Sequence, residues 1–258
     1  MKQAFKLSIK LLARPLMFLG FNPFALINLR YFPLFINQAR TFKKMGGEIT
    51  HYFPILSDYK DQSGSAKGHY YHQDLLVASF INEKKPDRHI DIGSRVDGFV
   101  AHVASFRPIE IVDIRPLTNG GHDNIRYHQG DLMNEFNDLP ISDSVSCLHV
   151  IEHFGLGRYG DIIDPDGHKK GFKNLLKLVQ KGGTLYISFP IGKKNEIEYN
   201  AHRVFHPLDI LNWYNDKSIE IIRFDYVDDE GVLHKHANLF DITAPLIFGC
   251  GIYTIKKN

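Results

Sequence analysis

A chain of 258 residues with 31 basic and 29 acidic side chains carries a formal net charge of only +2, too little to mark a nucleic-acid-binding surface. Its 43% hydrophobic and 23% charged content is that of an ordinary globular protein with a substantial core, which excludes an intrinsically disordered chain. The two cysteines, Cys147 and Cys250, lie in apolar runs without metal-type spacing and read as buried thiols of a cytoplasmic protein.

The segment through Lys44 is basic, rich in Leu and Phe, and holds no acidic residue. It lacks the small-residue cleavage site of a signal peptide, and Lys10 and Arg14 interrupt its apolar stretch. No window reaches the roughly 18 uncharged apolar residues of a spanning helix. Two readings stand. Residues 1–60 form a helical arm packed on a main domain of residues 61–258, or the arm is a basic amphipathic segment making peripheral contact with the anionic inner face of a membrane.

From Tyr70 onward, helix-like and strand-like segments alternate. GHYYHQDLLVASFINEKKP has helical spacing and stops at Pro86. HIDIG is a short strand, followed by a helical GFVAHVASF. IEIVDI and NIRYHQGDL are a second and third strand, and SVSCLHVIEH is a fourth, of the buried kind. GFKNLLKLVQKGG is a helix closed by glycines, TLYISFP a fifth strand closed by Pro190, and HPLDILNWYN a further helix. IEIIRFDYVDD and IFGCGIYTIKK are two last strands. Such alternation predicts an α/β fold, a doubly wound parallel sheet ending in an antiparallel hairpin. That strand inventory is the one found in class I methyltransferases.

In doubly wound sheets ligands bind beyond the carboxyl ends of the strands, so those residues matter most. Strand one ends in Asp91-Ile92-Gly93, strand two in Asp113, strand three in Gly130-Asp131 and strand four in Glu152-His153. An acid about twenty positions after a glycine turn is placed to accept hydrogen bonds from a ribose diol; its plainer reading is a solvated strand-end aspartate. Asp131 is placed where an adenine amino group can be read. A dinucleotide pyrophosphate needs second and third glycines for close backbone approach, and Ser94 and Arg95 stand in their way. S-adenosyl-L-methionine carries no phosphate. It needs a tight turn, an acid toward its amino-acid end and an acid for its ribose. Asp91, Gly93, Ser94, Asp113, Asp131 and Glu152 are therefore the candidate cofactor residues.

HVIEHFG resembles the fourth-strand motif of class I S-adenosylmethionine-dependent methyltransferases. GHYYHQDL, DIGSRVDGFVAH, VDIRPL, GLGRYGDIIDPDGHKKG and SFPIG together resemble a domain-of-unknown-function family of bacteria and nematodes that is methyltransferase-like. The resemblance runs from about Gly68 to His206, with Gly155–Gly171 its most specific part. It implies the Rossmann-like methyltransferase fold and, for bacterial members, a setting in surface-polysaccharide biosynthesis.

GLGRYGDIIDPDGHKKG is too long and polar for a plain crossover, and it follows strand four. Three readings stay open: a lid over the substrate, an oxygen-ligand loop for a divalent metal, and a simple turn built on DPDG. His153, with His202 and His206 of YNAHRVFHP, forms a candidate general-base group; singly, each also reads as a surface or capping imidazole. Asp164, Asp166 and His168 are candidates for orienting the acceptor, and Arg203 for holding an anionic group. In GHYYHQDL, Tyr70 through Asp74 either close the cofactor pocket or simply start a helix. The leading expectation is an S-adenosylmethionine-dependent O-methyltransferase acting on a small-molecule or glycan acceptor. A non-methylating enzyme on the same scaffold and a silent binding module are the alternatives.

Overall fold

The computed structural model describes residues 23–118, 121–134, 141–214, 218–242 and 246–258. The chain divides into two compact units, Met1–Ser65 and Ala66–Asn258. In the first, a 3₁₀ segment Pro23–Tyr31 leads into helix α1 (Phe32–Lys44), which contains no acid and buries no residue. Of the arm expected over residues 1–60, residues 1–22 lie outside the described residues. Among the described residues no helix is long and apolar enough to cross a membrane.

The second unit is built on one sheet. Strands β1 (His89–Ile92), β2 (Ile109–Asp113), β3 (Ile125–Gln129), β4 (Ser142–Leu148) and β5 (Val179–Ile191) pair in parallel. A separate antiparallel pair is formed by β6 (Glu196–Glu198) and β7 (His202–Val204). Strands β8 (Ile219–Val227), β9 (Leu233–His234) and β10 (Gly249–Lys257) complete the main sheet. Its order is β3-β2-β1-β4-β5-β10-β8-β9, with β10 antiparallel to both β5 and β8. This is the expected class I methyltransferase architecture with its closing hairpin. Because β1 is flanked by β2 and β4, winding reverses there, and the crevice lies at the carboxyl ends of those strands.

The central strands are largely buried on both faces because both are covered. On one face helix α2 (His69–Lys84) lays Leu76, Val77 and Ile81 against Phe99, Ile109 and Ile111. It stops at Lys85, whose φ of 47° is a left-handed cap before Pro86. After β1 the expected helix is shortened: Gly98 breaks the turn Val96–Val100, and only Ala101–Ala104 (α3) is regular. On the other face helix α4 (Gly167–Leu178) packs Phe172 and Leu175 with Phe189, Phe205 and Trp213.

Three local expectations need correction, and one element was missed. Strand β4 ends at Leu148 rather than at Glu152-His153, because His149 turns into the left-handed region (φ 55°) and Ile151–His153 form a 3₁₀ turn. Helix α4 starts inside the Gly155–Gly171 loop and ends at Leu178, while Gly182 and Gly183 belong to β5. The helix expected from His206 shrinks to a 3₁₀ turn, Asp209–Asn212, where Trp213 Nε1 donates to Asp209. The short pair β6–β7 went unpredicted.

Candidate functional site

A cleft opens at the ends of β1, β2 and β3 beneath the turn that follows β4. Gly93, Asp113, Asp131, His149, His153 and Tyr159 line it over an apolar floor that includes Ile92, Val112 and Leu132. Gly93 makes the turn possible. Its φ is +69°, and a Cβ there would come within 2.6 Å of Val150 Cγ1.

Asp91 does not reach the cleft. Its carboxylate is fully buried and accepts hydrogen bonds from the Ser94 backbone N–H (3.0 Å), the Ser94 hydroxyl (2.9 Å) and the Ser146 hydroxyl. Burial pushes the Asp91 carboxyl up to about 7, with the bonds from Ser146 and Ser94 offsetting part of that rise. Asp91 thus ties the glycine turn to β4 from within. Ser94 spends its polar groups on Asp91 and borders a second pocket, which shares Asp113 and Arg115 with the main cleft.

Asp113 lines the cleft but is already engaged. The Arg115 backbone N–H donates to it at 2.8 Å, Arg115 Nε at 3.0 Å, and the guanidinium forms an ion pair with it. The guanidinium also lies 4.7 Å from the Tyr159 ring centroid, so Arg115 bridges the β2 end to the overhanging loop. Asp131 faces the cleft while accepting from Met133 N–H (2.9 Å) and Asn134 Nδ2 (3.0 Å) of its own turn.

His153 lies on the cleft wall, 5.6 Å edge-on from Tyr159. Its Nδ1–H donates to the Ala201 carbonyl at 2.7 Å, which makes Nε2 the lone-pair nitrogen of the neutral ring. Burial holds its pKa below the usual histidine range although Glu152 opposes that shift. Glu152 is buried, and its Oε1 receives His149 Nδ1 at 2.7 Å. Burial disfavours charge on His149, but Cys250 and the Glu152 carboxylate outweigh it and raise its pKa well above the usual range.

The structure takes the other histidine and loop candidates elsewhere. His168 is buried between Phe205 and Trp213, and desolvation lowers its pKa to about 4. Asp164 pairs with Lys170, and Asp166 with Lys169 at 2.8 Å. His202 packs on Phe248, and His206 Nδ1 accepts the Leu208 N–H. Arg203 is buried and donates to the carbonyls of Glu152, Phe154, Asp164 and Pro165, clamping the loop rather than meeting a ligand. The loop's own carboxylate in the cleft is Asp161, which accepts the N–H groups of Gly155 (2.8 Å), Gly157 (3.2 Å) and Tyr159 (3.1 Å). Among the described residues the loop carboxylates form no metal-type cluster; the one such group is His69, His149 and Cys250. Sequence reasoning passed over Arg115, Tyr159 and His149, although each lies inside a quoted motif.

Residues 128–214, about a third of the chain, match the model of a family described as Caenorhabditis protein of unknown function, DUF268. No curated protein matches. Among solved structures the chain is similar to the (4+2) cyclase SpnF, with 12% identity, a TM-score of 0.51, and coverage of 90% of this chain and 95% of that one. It is likewise similar to the Burkholderia thailandensis 1,6-didemethyltoxoflavin-N1-methyltransferase, solved with its substrate and S-adenosylhomocysteine, at 12% identity and a TM-score of 0.51, covering 72% and 78% of the two chains. At such identity the likeness establishes the fold, which hosts more than one chemistry.

Proposed function

We propose that this protein is an S-adenosylmethionine-dependent methyltransferase acting on a hydroxyl of a small-molecule or glycan acceptor. The observation that carries the reading is one cleft that joins the Gly93 turn, Asp113 and Asp131 to the neutral imidazole of His153. The donor fits this wall: the turn admits no side chain at position 93, and two carboxylates from successive strand ends face the same space. Asp113 would receive the ribose hydroxyls and Asp131 the adenine amino group. When bound, the cofactor supplies an electrophilic methyl group. His153 Nε2 takes the acceptor's proton as its oxygen attacks, while Ala201 fixes the tautomer. Glu152 positions His149 on the wall, and Asp91 with Ser94 holds the turn. A divalent metal on the loop aspartates has no part in this reading.

The bacterial surface-polysaccharide setting rests on the motif resemblance alone. The proposed location is the cytoplasm, with peripheral membrane attachment through the N-terminal arm; what supports the attachment is helix α1, which exposes Phe32, Leu34 and Phe42 beside Lys43 and Lys44. Flotation with anionic liposomes should show salt-sensitive attachment that disappears when residues 1–45 are deleted. Equal flotation of the truncated chain removes this part of the proposal.

The Arg115–Asp113 pair favours a second reading, a catalytically silent module whose ribose acid stays closed. Titration of S-adenosylhomocysteine separates the two, since only an open Asp113 gives an affinity that depends on that carboxylate.

A further inference from the structure

Beside the cleft, His149 stands with two other groups, and none of the three has a part in the proton transfer. His69 opens helix α2, His149 follows β4 and Cys250 lies on β10. Their ligand atoms all fall within 4.8 Å of one another. His149 Nδ1 is committed to Glu152 Oε1 at 2.7 Å, so Nε2 is the ring atom left for any other partner. That Nε2 is buried and has no hydrogen-bond partner, on a side chain only 5% exposed. Cys250 is fully buried beside His149, and its sulfur makes long contacts of 3.7 Å to Gln73 Oε1 and 3.8 Å to the Gly251 carbonyl.

From this geometry we infer a transition-metal site of the zinc type, with His69, His149 Nε2 and Cys250 Sγ as protein ligands. Four features select that chemistry. Two imidazoles and a thiol suit zinc and exclude the oxygen-seeking magnesium and calcium. A carboxylate on the far ring nitrogen is the usual support of a ligating histidine, and Glu152 supplies it. A buried ring nitrogen without a hydrogen-bond partner is costly, and a metal bond would remove that cost. Three protein ligands also leave a fourth position, and His149 lies on the cleft wall where water or an acceptor could take it.

The spacing defines what must move. Bond lengths of ~2.0 Å to nitrogen and ~2.3 Å to sulfur put ligands about 3.5 Å apart, so the group contracts by about an ångström. His149 is held by Glu152, and Cys250 by the central strand pairing. His69 is half-buried and stacked on His149 at 5.2 Å with the planes 12° apart, so it is the ring that turns to converge. On binding, the Cys250 thiol proton and any proton on His149 Nε2 leave to solvent as the metal bonds form. The site stands on these three side chains and not on the methyl-donor reading.

Cobalt(II) titrated into chelator-treated full-length protein is the test. The expected result is one equivalent bound, with the visible absorption of a four-coordinate ion and a thiolate-to-cobalt charge-transfer band, displaced by zinc and not by magnesium. Cys250→Ser should abolish the charge-transfer band, Glu152→Gln should weaken binding by ~10–100-fold, and His69→Ala should weaken it at least as much. Because Cys250→Ser sits in the core, the half-buried His69→Ala variant carries the same test if the serine variant fails to fold. Absence of one-equivalent binding by folded wild type, or binding unchanged in His69→Ala, overturns the inference.

Discussion

The segment after β4 divides into two stretches that look alike in sequence and behave differently. From His149 to Asp161 it supplies six cleft-lining residues: His149, Val150, His153, Phe154, Tyr159 and Asp161. From Ile162 to Gly171 it supplies none of them. There Asp164 and Asp166 pair with the lysines of helix α4, and His168 enters the aromatic core. Gly155 is where the two stretches meet. Its φ is +77°, and a Cβ there would collide with the Asp164 carbonyl. Charge density along a glycine-rich loop therefore says little about which residues meet a ligand, because the loop consumes most of its carboxylates in holding its own backbone.

Variants on either side should separate sharply. His153→Ala, in the first stretch, should lose ~10²–10⁴ in turnover while S-adenosylhomocysteine affinity stays nearly intact. His168→Ala should lower the melting temperature and leave the turnover of the folded fraction alone; the reverse pattern would reassign the base. Arg203→Ala should be the most destabilising change near the loop, about 3 kcal/mol by denaturant unfolding, since it strands buried carbonyls on both stretches. A loss below about 1 kcal/mol would show that the loop holds without this clamp.

A further contrast concerns pH. Asp91 has a folded-state pKa near 7, above the ordinary aspartate value, so the folded state binds more protons than the unfolded chain between the two. Its contribution to stability is complete below about pH 4 and fades as pH rises to about 7. Asp91→Asn should flatten that decline, read as the melting temperature across the same range. An unchanged slope would mean that Asp91 is ionised in the fold. Smaller still, Arg115→Ala should tighten S-adenosylhomocysteine by up to about fivefold, the ~1 kcal/mol ceiling of a partly exposed ion pair. Asp164→Asn should leave turnover within about twofold, as expected for a surface ion pair.

The fold was legible because its units are punctuated: apolar runs end at glycine or proline, and two strands close the chain without a helix between them. What was missed is short or decided by tertiary contact. Strands β6 and β7 are three residues each, and β6 is wholly exposed, so neither leaves a hydrophobic period to read. Gly93, Asp113, Asp131 and His153 were legible as cleft residues because strand ends converge at the winding reversal. Asp91, Ser94, His168 and Arg203 were not, because whether a polar side chain faces ligand or spends itself internally depends on partners far away in sequence, such as Ser146 for Asp91. His149 stands in the same HVIEH run as His153, but its left-handed backbone, which turns it onto the wall, leaves no mark in residue types.

The central claim is that Asp113, once released by Arg115, is the ribose acceptor of a methyl-donor cleft. Calorimetric titration of S-adenosylhomocysteine into wild type, Asp113→Ala and Arg115→Ala tests it most directly. The account predicts saturable one-to-one binding by wild type, a loss of ~1.5–3 kcal/mol in Asp113→Ala from removal of charged hydrogen bonds, and a modest gain in Arg115→Ala. No heat of binding from folded wild type at millimolar ligand, or an affinity indifferent to Asp113, would contradict it.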